Sequence, residues 1–315
     1  MTMAQAKTFD VVLAGLALVD VIGRPVDIRR PPRKGGLQLI DSVTLTTGGN
    51  VPNCGIDLAR LGFRVAGISR VGKDTLGDLV RHQLAQHRID TSGLTIDRRD
   101  QTSATFVAVE GSGERTFFHT RGCLKNFRVE DILAHLPLIR KSRLFALGYL
   151  GLLPECDRHL PRLFRKVKEE TGVRILLDTG GNPRRTPGLL ERFLPYVDFF
   201  IPSREEAAVL TGRTTPEGMV QTFRRWGARG VVGIKLGAEG CYITAGQETA
   251  YVPSVRVKKV VDATGAGDAF VAGFLAATLR GFGPLDAARK ANAIAASCVT
   301  AVGASTAIKQ FDEYR

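Results

Sequence analysis

The chain has 315 residues, of which 44% are hydrophobic and 24% are charged. A chain of this length and composition buries enough apolar surface for one large α/β domain, which excludes an intrinsically disordered protein. The sequence has no run of about 18 apolar residues, and its first residues lack the apolar core of a secretory signal. These features predict that no helix spans a membrane and that the protein is cytoplasmic.

The five cysteines and five histidines are scattered along the chain. They form no C-x-x-C pair and no H-E-x-x-H or H-x-x-x-H motif, which argues against a disulfide framework and against a zinc site. We expect the cysteines to be reduced residues that pack in the core.

The formal net charge of +13 raises the alternative of a nucleic-acid-binding protein, because basic surfaces release condensed counterions when they bind nucleic acid. Aromatic residues make up only 7% of the chain, and basic residues are concentrated only at Arg24–Lys34 and at Arg184 and Arg185. A diffuse positive field suits an anionic small substrate at least as well. We therefore expect no nucleic-acid partner.

The first third of the chain predicts one buried strand and a small exposed sheet. Phe9–Gly15 is apolar and the chain continues to Asp20, which predicts a buried strand that carries this carboxylate to the edge of a sheet. The alternative is an aspartate that ends the strand in a turn. Leu37–Thr47 alternates in part, and Ser103–Glu110 and Arg115–His119 flank a turn with two glycines. We expect these segments to form a small sheet outside the main fold.

Most of the remaining chain alternates between strand-like and helical patterns, which predicts a parallel sheet. One segment, Gly67–Asp74, matches the P-loop pattern G-x-x-x-x-G-K. A P-loop requires Ser or Thr after the lysine to bind magnesium, and Asp74 stands there instead. We therefore interpret this segment as a structural turn and exclude a Walker-type NTPase. A dinucleotide oxidoreductase is also disfavoured, because no G-x-G-x-x-G follows the first strand.

A glycine-rich turn near the C-terminus opens an apolar helix. Gly265 and Gly267 precede Asp268, and residues 269–279 are apolar on nearly all sides. A helix start exposes unpaired N–H groups at the positive end of the helix dipole, and glycine lets an anion approach them. We expect a phosphate there, with Asp268 placed to accept the proton of an attacking hydroxyl. The alternative is a capped core helix with an aspartate in its first turn.

Two separated motifs resemble those of the ribokinase, or PfkB, family of carbohydrate kinases. The first contains Gly48, Gly49 and Asn53, and the second is Asp262–Asp268. The resemblance covers nearly the whole chain and implies an α/β fold, a ribokinase-like Rossmann-type α/β/α sandwich with a small β-sheet lid. It implies one kinase domain over residues 1–315, with lid segments at about 20–47 and 98–121 inserted in the core.

The resemblance also implies roles for individual residues. Asp268 is the predicted base, and the backbone of Gly265, Ala266 and Gly267 is the predicted anion hole for the transferred phosphate. The residues expected to hold the sugar are Asp20, Gly48, Gly49 and Asn53. Arg121, just after the predicted hairpin, is expected to contact the substrate and to favour a carboxylate. The alternative for Arg121 is a solvated flank of the hairpin.

The cofactors that the resemblance implies are ATP, magnesium and potassium. The predicted ATP-binding residues are Lys235, Gly237, Gly240 and Thr264. For Lys235 the alternative is a lysine that caps a strand end in solvent. Glu206 is expected to organise magnesium, although Ser203 stands where the family often has asparagine. Asp262 and Ser305 are expected to form a potassium site, which predicts activation by potassium.

These features predict an ATP-dependent kinase that phosphorylates a hydroxyl of a free sugar or sugar acid, similar to ribokinase, fructokinase or ketodeoxygluconate kinase. Asn50 stands where several family members that act on sugar phosphates have lysine, which disfavours a phosphorylated substrate. The alternative is a nucleoside kinase, which the single Trp226 disfavours because it is distant in sequence from the sugar motifs. Unpaired strand edges of the lid predict a homodimer formed through the lid.

Overall fold

Strands and helices alternate along the chain in a computed structural model that describes residues 7–181 and 188–314. The strands are β1 (Phe9–Ala14), β2 (Leu18–Arg24), β3 (Ser42–Gly48), β4 (Val65–Gly72), β5 (Asp90–Asp97), β6 (Ala104–Val109), β7 (Arg115–Thr120), β8 (Ser142–Leu150), β9 (Arg174–Thr179), β10 (Phe199–Phe200), β11 (Val231–Lys235), β12 (Gly240–Ala245) and β13 (Glu248–Pro253). The basic pair Arg184 and Arg185 lies outside the described residues.

The helices are α1 (Asn50–Arg60), α2 (Thr75–Gln86), α3 (Val129–Leu133), α4 (Leu136–Arg140), α5 (Pro154–Asp157), α6 (Leu160–Thr171), α7 (Arg204–Thr211), α8 (Pro216–Arg225), α9 (Ala266–Leu279) and α10 (Pro284–Cys298). Over the described ranges none of these helices has the length and apolar character needed to cross a bilayer. The five cysteines are buried and free of disulfides, as the sequence predicted.

The larger sheet has the strand order β13-β12-β11-β10-β9-β8-β1-β4-β5. The strands from β11 to β5 are parallel, whereas β12 and β13 form an antiparallel edge. The sheet has a hydrophobic core on each face. Val11 and Leu13 of β1 pack into one of these cores, and Val12 and Ala14 pack into the other. Helices therefore cover both faces of a parallel sheet, which confirms the predicted α/β/α sandwich.

The strand order also locates the ligand site of the sheet. From β1 the chain proceeds to β4 and β5 on one side, and from β8 to β9, β10 and β11 on the other. In open α/β sheets the ligand crevice lies at such a switch point, outside the carboxyl ends of the strands. The residues that end β8, β9 and β11 are therefore expected to border the site.

The smaller sheet has the strand order β3-β2-β6-β7, and β2 and β6 are parallel neighbours. It brings together the alternating segments predicted to form a small sheet, although the strand predicted over Leu37–Thr47 begins only at Ser42. The register aligns Thr46, Asp20, Thr105 and His119 in one row across the four strands. Side chains that face each other across a ladder share one face of the sheet, so this row forms a polar surface.

The prediction that the first buried strand continues to Asp20 was wrong. β1 ends at Ala14, and Gly15 follows with a φ of +141°, a conformation that favours glycine. The Asn50 side chain then takes the place of a neighbouring strand, because it donates to Ala14 O at 2.9 Å and accepts from Leu16 N–H at 2.8 Å. The chain crosses to the smaller sheet at this break, and Asp20 lies within β2.

The segment that resembles a P-loop is structural, as predicted, but most of it is strand and only its last two residues form a turn. Gly67–Gly72 belongs to β4, and Asp74 is the N-cap of α2, where its Oδ1 accepts the Gly77 N–H at 2.8 Å. The carboxylate also accepts from the backbone and hydroxyl of Thr102. An aspartate committed to these bonds stabilises the helix start and the neighbouring loop.

Candidate active site

The predicted base lies at the start of α9, a buried helix. Gly265 is its N-cap with a φ of +76°, and a β-carbon on it would lie 2.4 Å from that of Ala304. Only glycine fits this turn. The Ala266 N–H already makes a weak bond within the turn, at 3.3 Å. The N–H groups of Gly267 and Asp268 precede the first intrahelical bond and face outward from the helix start, so the turn offers donors to an anion.

Two side chains hold the carboxylate of Asp268. The Asn53 amide and the Tyr149 hydroxyl both donate to Asp268 Oδ2, at 2.9 and 2.8 Å. Burial raises the pKa of Asp268, and these two bonds and the charge of Lys235 oppose that shift. The bonds fix the orientation of the carboxylate, and a raised pKa makes it a better proton acceptor than an ordinary exposed aspartate.

Tyr149 is a site residue that the sequence did not reveal. It belongs to the last residues of β8 and has a φ of +63°, a strained conformation for a bulky side chain. A β-carbon on Gly180 would lie 2.7 Å from the Tyr149 ring, so that glycine makes room for it. No motif marks this tyrosine, because its contact with Asp268 joins positions 119 residues apart.

A buried ion pair lies beside the glycine turn that opens α9. Lys235 Nζ is 2.6 Å from Asp178 Oδ1, and the two side chains are 13% and 6% exposed. Burial alone would lower the pKa of Lys235, but the charges of Asp178 and Glu206 and the bond to Asp178 raise it. Lys235 Nζ also lies 3.6 Å from where a β-carbon of Gly267 would stand. The alternative of a lysine capping a strand end in solvent was therefore wrong.

Asp178 was also missed, although the sequence carried a signal for it. It is the last but one residue of β9 and follows an apolar run, so it belongs to the carboxyl edge where α/β sites form. The ion pair places a positive charge near Gly267. Because Asp178 pairs with the lysine, the protein avoids the cost of burying an unpaired charge.

Glu206 is held by the helix start that it caps. Its Oε2 accepts the Ser203 N–H at 3.0 Å and the Thr179 hydroxyl, while Ser203 Oγ accepts the Glu206 N–H at 3.2 Å. Ser203 and Glu206 thus form a capping box at α7. Ser203 therefore caps α7 and holds the carboxylate of Glu206, which is 9% exposed.

The polar row of the smaller sheet faces this group of residues. Asp20 lies between Thr46 and Thr105, and Thr105 Oγ1 is 3.1 Å from His119 Nδ1. Burial raises the pKa of Asp20, partly offset by a hydrogen bond from Thr105. Burial raises the pKa of Tyr149, and the charges of Asp268, Asp178 and Asp20 add to that shift. Carboxylate, hydroxyl and imidazole groups here can bond sugar hydroxyls.

Gly48 and Gly49 allow close approach at the junction of β3 and α1. A β-carbon on Gly48 would lie 2.4 Å from Asp20 Oδ2, and one on Gly49 would lie 2.5 Å from Leu16 O. Gly49 also has a φ of +92°. Asn50, next in the chain, is 5% exposed, and both polar atoms of its side chain form hydrogen bonds with the backbone where β1 ends. The junction therefore positions Asp20 and the start of α1, which carries Asn53.

Asp262 is surrounded by donors. Its Oδ1 accepts from Arg115 Nη2 at 2.5 Å and from the Thr264 N–H at 2.8 Å, and its Oδ2 accepts from the Gly303 N–H at 3.0 Å. Arg115 also donates to Thr264 Oγ1. These bonds hold the pKa of Asp262 below its usual range against the opposing effect of burial. Ser305 Oγ donates to Asn53 O of α1 at 3.5 Å.

The remaining predicted residues flank the site. Gly237 and Gly240 bracket the short turn after β11, and a β-carbon on Gly240 would lie 2.1 Å from Val252 O. Arg121 is exposed just after β7. Burial and the charge of Arg121 together lower the pKa of His119, so this arginine lies beside the polar row of the smaller sheet.

The described residues thus bring a buried carboxylate, a glycine-rich helix start and a polar sheet face together. Residues 8–310 match the family model for the pfkB family carbohydrate kinase. The chain belongs to the pfkB family of carbohydrate kinases. This kinase therefore transfers a phosphoryl group to a sugar hydroxyl, and the recognition made from the two sequence motifs is confirmed.

Named relatives of the kinase include enzymes for different sugars. It is 28% identical over 281 residues to the 2-dehydro-3-deoxygluconokinase of Bacillus subtilis, with 85% of each chain covered. It is 31% identical over 283 residues to a fructokinase of Klebsiella pneumoniae, covering 84% of this chain and 90% of that one. A putative ribokinase II of E. coli, solved in complex with ATP and Mg²⁺, shares the fold with a TM-score of 0.80, 24% identity and 97% of each chain covered.

Proposed function

We propose that this kinase transfers the γ-phosphate of ATP to a hydroxyl of a free sugar or sugar acid, with Asp268 as the base. The observation that carries the proposal is the position of Asp268. This carboxylate is 5% exposed, lies in the first turn of a helix whose N–H groups face outward, and is held by Asn53 and Tyr149. Such an arrangement combines proton acceptance with stabilisation of a phosphate.

In the proposed reaction a substrate hydroxyl gives its proton to Asp268 as its oxygen attacks the γ-phosphorus, and the bond from that phosphorus to ADP breaks. The N–H groups of Gly267 and Asp268 would bond the oxygens of the transferred group. Lys235, ion-paired at 2.6 Å with Asp178, would add positive charge beside them. The short turn bracketed by Gly237 and Gly240 would border ATP.

Magnesium and ATP are the cofactors that the family implies. Magnesium is usually bound by one or two carboxylates together with substrate phosphates and waters, and the buried carboxylate of Glu206 fits that role beside Asp178. Over the described residues no group of three or more His, Cys, Asp or Glu side chains forms a metal cage. When bound, magnesium neutralises charge on the phosphates of ATP.

The sugar would lie between Asp268 and the smaller sheet, which we propose acts as a lid. Asp20, Thr105 and His119 on its polar row would bond sugar hydroxyls, together with Asn53. Arg121 beside that row would pair with the carboxylate of a sugar acid. The relative in Bacillus subtilis acts on such an acid, as its name 2-dehydro-3-deoxygluconokinase states.

A homodimer formed through the lid is part of the proposal. The face of the small sheet opposite the polar row carries exposed apolar side chains: Val43, Leu45, Phe106 and Phe118, at 61%, 52%, 38% and 57% exposure. A second copy of this sheet would cover them. Sedimentation analysis of the wild type and of Phe118→Ser tests this assembly, and a wild-type protein that sediments as a monomer at micromolar concentration excludes it.

The test of the proposed function is a substrate panel followed by one variant. ATP consumption should be measured with magnesium and a series of free sugars, sugar acids, sugar phosphates and nucleosides. We expect turnover with a free sugar or sugar acid, and a loss of at least about a hundredfold in kcat for Asp268→Asn, since it removes the proton acceptor. Turnover with nucleosides alone would favour a nucleoside kinase, and wild-type turnover by Asp268→Asn would remove the assigned base.

A further inference from the structure

Arg115 on the smaller sheet reaches across to the loop that leads into α9. It begins β7, and its register places it on the same face as His119, four residues later. Its Nη2 lies 2.5 Å from Asp262 Oδ1, and its Nη1 donates to Thr264 Oγ1. The guanidinium group therefore bonds both Asp262 and Thr264, which lie just before the phosphate-binding turn. These residues are 147 and 149 positions from Arg115 in the chain.

This contact occupies the group on which the predicted potassium site depends. Both oxygens of Asp262 already accept hydrogen bonds, from Arg115, from the Thr264 N–H and from the Gly303 N–H. The Arg115 and Asp262 side chains are 30% and 9% exposed, so the pair is partly shielded from solvent. A potassium ion at Asp262 would meet a guanidinium charge there, and the residues in this arrangement do not fit potassium.

We propose that Arg115 fastens the lid to the phosphate-binding turn and supplies at Asp262 the positive charge that the family resemblance assigned to potassium. The inference rests on the proposed function in taking the smaller sheet as the lid over the sugar. Arg115 touches neither reacting group, so it is a positioning residue. It acts through Asp262 and Thr264, whose placement sets the start of α9 and hence the donors of Gly267. Closing the lid and ordering the turn then become one event.

Hydrogen exchange of the free protein tests the fastening without any substrate. Arg115→Gln removes the charge and the fork. Arg29→Gln is the matched control, because Arg29 pairs with Glu114 in the turn between β6 and β7 but its side chain is 74% exposed. We expect amides of 104–120 and 260–267 to exchange about tenfold faster in Arg115→Gln, since a charge-assisted contact is lost. Arg29→Gln should match the wild type. Wild-type exchange in Arg115→Gln would overturn the proposal.

Kinetics test the replacement of potassium. Rates should be compared in potassium chloride and in choline chloride with the best sugar of the panel. We expect the wild type to turn over equally in both salts. Arg115→Gln should lose about ten- to a hundredfold in kcat in choline, because a displaced turn misplaces the phosphate, and potassium should restore part of the rate at the vacated Asp262. Arg115→Lys keeps the positive charge but loses the two-pronged hydrogen bonding of the guanidinium group. Its kcat in choline should therefore lie between those of the wild type and Arg115→Gln.

Two kinetic outcomes contradict the inference. Activation of the wild type by potassium by several-fold would show that the ion binds despite Arg115. An Arg115→Gln variant with wild-type kcat in choline would show that the contact does not position the turn. If the wild type phosphorylates no sugar at all, the proposed function fails, whereas the exchange experiment still decides whether Arg115 fastens the two parts.

Discussion

At the scale of single residues, the site depends on how Asp268 is held. Its neighbours come from distant parts of the chain: Asn53 from α1, Tyr149 from the end of β8, and Lys235 from the end of β11. Burial raises the pKa of Asp268, and each of these neighbours opposes that effect. The pH at which the base becomes active should therefore respond to single substitutions that leave the fold intact.

Removing the Tyr149 hydroxyl tests this dependence. The bond from Tyr149 stabilises the ionised form of Asp268, so Tyr149→Phe should raise the pKa of Asp268 further. Because the base works deprotonated, activity is lost as pH falls through that pKa. The acid limb of the kcat/KM profile should move to higher pH, so the loss of activity in Tyr149→Phe should be largest on the acid side of the profile.

Tyr251→Phe is the matched control for that variant. The Tyr251 hydroxyl also donates to a carboxylate, Glu217 Oε1, at 2.6 Å, but on the exposed edge of the large sheet. We expect its pH profile to coincide with that of the wild type. An unshifted acid limb in Tyr149→Phe would show that the tyrosine does not tune the base.

At the scale of elements, the junction of β3 and α1 links the two halves of the sugar site. Gly48 ends β3 against Asp20 of β2, and Asn53 lies in the first turn of α1. Gly48 has an ordinary backbone conformation, so a larger residue is disfavoured there by the side chains of Asp20 and Leu18 and not by φ. Adding one methyl group there should displace Asp20 without unfolding the junction.

Gly48→Ala should therefore weaken sugar binding more than turnover. Its β-carbon would stand 2.4 Å from Asp20 Oδ2, which must move. Losing a hydrogen bond between a carboxylate and the sugar should raise the KM for sugar by about tenfold or more. The changes in kcat and in the KM for ATP should be smaller. Gly111→Ala is the control, because a β-carbon there meets no atom within 4 Å. An unchanged KM for sugar in Gly48→Ala would argue against Asp20 as a sugar ligand.

At the scale of the whole molecule, one buried group works against stability. Asp57 of α1 is fully buried, and the Ser305 hydroxyl and the charge of Arg60 offset the cost of that burial only in part. Burial raises its pKa well above the usual value, and the negative charge of Asp268 adds to this shift. The folded protein therefore retains a proton on Asp57 that the unfolded chain has released, and the free energy of unfolding falls as pH rises above the ordinary aspartate pKa.

Asp57→Asn should remove this pH-dependent fall in the free energy of unfolding. The variant cannot ionise at this position, so its free energy of unfolding relative to the wild type should increase between pH 5 and pH 8 by about 1 kcal/mol or more. Urea unfolding at several pH values measures this difference. Asp312→Asn, which makes the same substitution at an 81% exposed side chain, is the control. A pH-independent difference for Asp57→Asn would mean that Asp57 is not protonated in the fold.

The sequence by itself determined the family, the α/β alternation and the two glycine motifs. These features are local: the turn before α9 needs Gly265 and Asp268 within a few residues, and its chemistry follows from any helix start. Asp178 was also within reach, because a carboxylate after a buried strand is a local signal. The roles proposed for these residues stay predictions until the variants are measured.

Only the tertiary structure decided how the distant parts meet. Asn50 breaks the first strand through backbone bonds 34 and 36 positions away, which moves Asp20 from the large sheet to the small one. The contacts of Tyr149 with Asp268 and of Arg115 with Asp262 likewise join residues more than a hundred positions apart. Periodicity reports which residues share a face of one element, but the pairing of elements arises from packing the whole chain.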